Sequence, residues 1–474
     1  MVKQSPNDSN ACQPRNARPN PQTKHLSIQL LLVLLLSISN PIATGTALAA
    51  SEKSGTAVTQ DSDAQVATTW FDLYLHLIQT TDGFTPPVAA RALGYAGVTL
   101  YEAVVPGMTD HQSLAGQLND LTTLPTPEAG KTYHWPSVAN SALAYITREL
   151  FINTSRENER VIHALERQLA AGFQAQADQA TLDRSIEYGH TLAEAIYQWS
   201  LSDGGARGQL HNFHDDYLPP QGAGLWIPTA PKFQRSPLQP YWGDNRPFVL
   251  QNGNMCDPPP PLTYSEQPTS TFYRQAMEVY TTVQNLSAEQ ETIALFWADD
   301  AGRTPTPPGH SIAIVTQILK DGHASLALAA ETYAKVGIVA NDAFISCWRT
   351  KYTYNLIRPI SYIQRVIDPT WNTPNLTDPV TTPPFPEYTS GHSVQIGAVA
   401  TVLSDLFGKA YHFTDHTNDQ RGFLARSFNS FDEMANEAAI SRLYGGIHYR
   451  QAIEAGLAEG KCIGKQVNAL KMKK

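Results

Sequence analysis

Beyond the first 50 residues, apolar positions recur with a helical period at both ends of the chain. Trp70, Leu73, Tyr74, Leu77 and Ile78 fall at i, i+3, i+4, i+7 and i+8, which lines them up on one helix face. Val88 to Val104 is rich in Ala and Leu and follows Pro86-Pro87, a pair suited to a first helical turn. Three more helices are predicted over about 137–151, 156–174 and 179–200. Helical pattern resumes near Thr269. Ser287-Ala288-Glu289-Gln290 has the form of a capping box ahead of Ile293, Leu295 and Phe296. The pattern then runs from about 310 to 357, with room for a break. Its apolar face carries Tyr333, Val336, Ala340, Ala343, Phe344 and Cys347, and Pro359 is expected to end it.

Residues 201–268 follow no period. They are dense in Pro, Gly, Asn and aromatics, and Pro258 to Pro261 is an unbroken proline run. A stretch this long and irregular is expected to be an ordered, functional connection rather than a spacer. Strand-like alternation is sparse. The expected architecture is therefore all-α: an N-terminal helical half (50–200), the connection (201–268) and a C-terminal helical half (269–474).

The first 49 residues differ in kind. Lys3, Arg15, Arg18 and Lys24 precede the apolar run Leu26–Ile38, and Ala47-Leu48-Ala49 offers a small-x-small cleavage site. These are the parts of an export signal, and the expected location is secreted or periplasmic. No later stretch is apolar enough to span a bilayer. Cleavage would lower the formal net charge from −9 to −12, because four basic residues and Asp8 leave together. So acidic a chain is a poor partner for nucleic-acid backbones. Three cysteines would remain. Cys347 lies on an apolar stripe and reads as a buried thiol, whereas Cys256 and Cys462 could pair in an oxidising compartment.

Three segments of the C-terminal half carry chemistry. In the first, Lys351 and Arg358 stand seven residues apart, almost two helical turns, which would put both cations on one face. Paired cations repel unless an anion sits between them, and their neighbours Trp348, Tyr352, Tyr354 and Ile357 make a poor solvent face. In the second, Pro383-Pro384-Phe385-Pro386 leads through Glu387-Tyr388-Thr389 into Ser390-Gly391-His392 and a new helix. Ser390 is a natural N-cap, and the free N–H groups of a first turn favour an anion. In the third, Arg442 and His448 flank Gly445-Gly446, a pair expected to break the helix so that both side chains can turn inward. Each segment alone has a plain alternative: a basic surface, an ordinary capped helix, a glycine C-cap.

In this order and at these spacings, K-x6-R-P, S-G-H and S-R-x5-H together resemble the vanadium haloperoxidase and type 2 phosphatidic acid phosphatase superfamily. Phe296-Trp297-Ala298-Asp299-Asp300, Pro307-Pro308-Gly309-His310, Asn341-Asp342-Ala343-Phe344 and Gly83-Phe84-Thr85-Pro86-Pro87 are similar to segments of its bacterial haloperoxidase branch. The resemblance implies a helical protein built around two four-helix bundles. It implies vanadate bound through His448, its oxygens held by Lys351, Arg358, Ser390, Gly391 N–H and Arg442, with His392 handling protons and Lys351 a second donor. Hydrogen peroxide, a halide and a small organic acceptor would be the reactants. Trp348, Phe385 and Asp300 would line the site, with Asp300 pairing to Arg442. The same pocket also suits an acid phosphatase with His448 as nucleophile, or a non-catalytic oxyanion binder. Two positions depart from the pattern. Ala452 stands where an acid usually orients the third-motif His, leaving Glu454 or a backbone carbonyl as substitutes. Thr389 stands where Pro is usual and could shift the cap.

Overall fold

The computed structural model describes residues 59–251, 255–374 and 380–474; the expected export signal lies outside them. The N-terminal half contains α1 (Gln65–Thr80), α2 (Pro86–Val104), α3 (Trp135–Leu150), α4 (Arg156–Phe173) and α5 (Gln179–Ser200). The C-terminal half contains α6 (Thr271–Gln284), α7 (Ala288–Phe296), α8 (Thr306–Asp321), α9 (Leu326–Tyr354), α10 (Pro359–Val366), α11 (Gly391–Phe407), α12 (Phe431–Tyr444) and α13 (Arg450–Asn468). Between α11 and α12, β1 (Phe413–Asp415) and β2 (Arg426–Phe428) form an antiparallel ribbon with Thr414 opposite Ser427. The fold is all-α, as expected.

Two bundles share a spine. Helix α2 packs on α3, α5 and α9, while α11 packs on α9, α12 and α13. Helix α9 is buried along nearly its whole length, so it belongs to both. Small residues set how closely these helices approach. A Cβ on Gly97 would stand 2.4 Å from Tyr333 O, and one on Gly460 2.1 Å from Val394 O, so α2–α9 and α11–α13 cross nearly backbone to backbone.

The break allowed for in the helical pattern over 310–357 is present, and two expectations about its end need correction. The pattern over 310–357 is two helices, α8 and α9, separated by Gly322–Ser325, with Ser325 capping the second. Lys351 and Arg358 do not share a helix face. Helix α9 stops at Tyr354 because Asn355 turns left-handed (φ 46°), and Arg358 is the N-cap of α10. Pro359 starts that helix rather than ending the previous one; at the first position its missing N–H costs nothing.

The 201–268 connection is tied into the site from outside. Trp226 N–H donates to Asn355 O (2.7 Å) and Ile357 N–H to Gly224 O (2.9 Å), so the connection pairs with the turn between Lys351 and Arg358. Leu238 N–H donates to Pro384 O, and Leu238 O accepts from Trp348 Nε1 (3.2 Å) and Tyr352 OH. Asp342 on α9 accepts three backbone N–H groups, from Phe248, Val249 and Leu250. Cys256 is disulfide-bonded to Cys462 on α13, and Cys347 is a buried free thiol.

Candidate oxyanion site

Local structure explains how each motif delivers its side chains. Ser390 caps α11, accepting a long 3.5 Å bond from Ser393 N–H, so Thr389 does not displace it. The first-turn N–H groups of Gly391 and His392 have no acceptor within the helix. Helix α12 ends at Tyr444, and Gly446 at φ 71° makes the turn, which leaves Arg442 in the last helical turn and His448 in the loop before α13. Arg358 at the start of α10 meets them from the other side.

Lys351, Arg358, Ser390, Arg442 and His448 are all buried. Arg358 Nε donates to Phe385 O (2.9 Å), and its Nη1 donates to Ile447 O (2.9 Å) and reaches His448 Nε2 at 3.3 Å. Arg442 Nη1 donates to Trp297 O (2.9 Å). Arg358 Nη2, Arg442 Nε and His392 Nε2 are buried polar atoms with no partner. Lys351 Nζ donates to the carbonyls of Pro386, Glu387 and Thr389, which uses its three N–H groups. Phe385 forms a lid over the cations, 5.1 Å from Lys351 Nζ and 4.9 Å from Arg358 Cζ, and it packs on Trp348.

Concentrating positive charge without water shifts the cations and imidazoles of the pocket. Burial is the largest cause throughout. It pushes Lys351 down to about 8 with Arg358 beside it, and Arg358 down to about 10 despite the opposing pull of Glu387. Arg442 also falls to about 10, opposed by Asp300 and then Asp299. Asp300 thus lies close enough to Arg442 to stabilise its charge. His448 and His392 are held well below the usual imidazole range by burial and the neighbouring cations. Lys351, Arg358 and Arg442 all act on the His448 ring, so the three motifs converge on one pocket.

The group that orients His448 is Glu387, not Glu454 or a carbonyl. Glu387 Oε1 lies 2.8 Å from His448 Nδ1 and also accepts Tyr449 N–H at 2.9 Å. With Arg358 donating toward Nε2, the hydrogen sits on Nδ1 and the Nε2 lone pair faces the cations. Glu454 pairs loosely with Arg450 instead, at 3.9 Å. Sequence spacing passed over Glu387 because its position lies 61 residues from His448; its one visible signal is a carboxylate inside an otherwise apolar Pro-Phe-Pro-Glu-Tyr run. Glu459 was likewise missed. It is buried, accepts from Ser346 and Thr389 hydroxyls at 2.7 Å each, and braces the segment that leads into Ser390.

A buried pocket with three cations, a helix N-terminus and orphaned guanidinium N–H groups fits a tetrahedral oxyanion. Comparison with known proteins gives the family. A family model for the VCPO second helical-bundle domain matches residues 331–473. The vanadium chloroperoxidase of Curvularia inaequalis is 23% identical over 464 residues, spanning 77% of this chain and 74% of the relative. Among solved structures, that of the first bacterial vanadium-dependent iodoperoxidase is 35% identical, with a TM-score of 0.78, covering 87% of this chain and 97% of the other. The holo form of a bacterial vanadium-dependent chloroperoxidase shares the fold at 14% identity, with a TM-score of 0.63 over 82% of this chain and 92% of its own. At 35% identity over nearly the whole of one relative, with the three motifs gathered in a single pocket, the chain belongs to the vanadium haloperoxidase superfamily.

Proposed function

We propose that this protein is a secreted or periplasmic vanadium-dependent haloperoxidase that oxidises a halide with hydrogen peroxide. The observation that carries the reading is the His448 ring. Its Nδ1–H is fixed on Glu387 at 2.8 Å, so its Nε2 lone pair is presented among three buried cations. That is what a His ligand to an anionic metal centre requires. Vanadate bound there would supply a Lewis-acidic centre at which peroxide becomes electrophilic toward halide. Arg358 Nη2 and Arg442 Nε, buried and unpartnered, are donors for its oxygens, joined by the N–H groups opening α11. Lys351 adds charge while pinning the Pro386–Thr389 carbonyls. His392, held neutral by its surroundings, is a group able to take a proton and return it. Phe385 and Trp348 keep water from the cations.

The test is direct. Protein reconstituted with vanadate is expected to brominate a phenol dye in the presence of bromide and peroxide, and His448→Ala is expected to lose both the activity and the bound vanadium. Failure to turn over bromide, iodide or chloride at any pH between 4 and 9 would overturn the reading. Phosphate release from a small monoester, lost in the same variant, would instead favour the phosphatase use of the pocket.

A further inference from the structure

Behind His392 lies a buried line of three charged groups. His310, on α8, is fully enclosed; its Nδ1 sits 3.0 and 3.1 Å from the two oxygens of Asp299, and its Nε2 sits 2.8 Å from Asp415 Oδ2 on β1. A carboxylate oxygen accepts at each ring nitrogen, so both nitrogens carry hydrogen and the ring is a cation. Burial works against that charge, but Asp299 and then Asp415 more than offset it and push the imidazole up to about 10. The Trp297 indole stacks on the His310 ring at 4.5 Å and 19° and closes it from solvent. Two carboxylates against one imidazolium leave one net negative charge in the line.

That charge ends on His392. Asp299 adopts φ 50°, an uncommon conformation for a residue with a side chain, inside the bend that also presents Trp297 O to Arg442. Its Oδ2 lies 3.9 Å from His392 Nε2, the nitrogen that has no hydrogen-bond partner. The other charged or titrating groups facing His392 are Arg442 from α12, Lys351 from α9, His310 from α8 and the His448 ring, and all the cations among them oppose a proton on it. The Trp297 backbone hydrogen bond favours a proton on the ring, and at 3.9 Å Asp299 is the carboxylate placed to add to it.

The geometry points to Asp299 as a positioning residue that acts through His392. It is the counter-charge that lets His392 hold a proton amid three cations, and His310 with Asp415 fixes that carboxylate in place. His392 would then accept a proton during turnover without a proton leaving the line, since His310 stays charged between its two acids. The inference rests on the oxyanion reading of the pocket, and its test separates the two.

Histidine in the full chain is labelled with 15N, and the protein is saturated with inorganic phosphate, a non-redox oxyanion. His310 is expected to show two protonated ring nitrogens at pH 7.5, with or without phosphate. In Asp299→Asn the His392 midpoint is expected to fall by about one pH unit, as loss of a carboxylate within about 4 Å predicts. In Asp415→Asn, which reduces the line to a neutral pair at greater distance, it is expected to fall in the same direction by less. A purely structural role would lower the melting temperature without moving the midpoint. A neutral His310 in the unmodified chain, or an unmoved His392 midpoint in a folded variant that still binds phosphate, overturns the inference alone. Absence of phosphate binding in the unmodified chain overturns the pocket reading on which it depends.

Discussion

At the scale of single residues, the site is a problem in placing charge. Lys351, Arg358, Ser390, Arg442 and His448 were legible because their spacings recur in a recognisable order. Glu387 was not, because the pairing of a carboxylate with a distant imidazole leaves no periodic trace; only the folded chain brings residues 61 apart in sequence to 2.8 Å. Glu387 holds the His448 tautomer, so its replacement is expected to weaken the oxyanion site without unfolding it. Glu387→Gln keeps an acceptor of the same shape but removes the charge. It is expected to raise the Kd for vanadate by about 10–100-fold, the usual cost of losing a group that orients a metal-binding His. Equilibrium dialysis of vanadate against the two proteins checks this, and equal affinities would show that His448 is oriented by something else. Arg442→Ala removes an orphaned donor and a cation together. Phosphate or vanadate affinity is expected to fall in that variant by a similar factor at low and high salt, because a buried charge is screened little, and calorimetry at two ionic strengths reads this directly.

At the scale of elements, helix existence was easy to see and helix ends were not. The run over 179–200 matches α5 to the residue, and the Ser287–Gln290 capping box forms as its S-x-x-Q pattern predicts. The turn after Lys351 was misread because seven-residue spacing alone cannot reveal that Asn355 takes a left-handed conformation and that Pro359 opens a new helix. That turn matters for chemistry: it lets Arg358 approach His448 from a second element rather than stacking above Lys351. The close crossing of α11 and α13 is a second feature hidden from hydropathy. Gly456, Gly460 and Gly464 recur every four residues and face Ser390 O, Val394 O and Ala398 O. Because α11 carries Ser390, Gly391 and His392, its seat on α13 sets the floor of the site. Gly460→Ala is expected to cost roughly 1–3 kcal/mol as an overpacked core position. The accompanying shift of α11 is expected to weaken oxyanion binding too. A melting temperature equal to that of the unmodified chain would show that the helices can part without strain.

At the scale of the whole molecule, buried ionisable groups link stability to pH. Burial pushes Glu102, Glu387 and Glu459 up to about 7, above the usual carboxyl range. The folded chain therefore binds protons on these groups that the unfolded chain has already released between about pH 4.5 and 7, and their contribution to stability is lost as pH rises through that window. His310 acts in the same direction over a higher range. Its pKa near 10 in the fold lies above the ordinary imidazole value, so its contribution is complete below about pH 6.5 and drains away up to about pH 10. Lys351 runs the other way. Its folded value near 8 lies below that of a free lysine, so stability is regained only above about pH 8. Just above pH 6.5 the last of the carboxyl effect and His310 act together; the imidazoles that burial holds low, His76, His134, His392 and His448, oppose them only until the unfolded chain has released its own imidazole protons, and His310 continues beyond that point. Each extra proton held by the fold corresponds to about 1.4 kcal/mol per pH unit. The oxyanion-free protein is accordingly expected to melt at a lower temperature at pH 8 than at pH 6.5. Calorimetric scans at the two pH values measure the difference, and His310→Gln is expected to flatten it. A pH dependence that His310→Gln leaves just as steep would mean that His310 is neutral in the fold, and the charged line behind His392 would go with it.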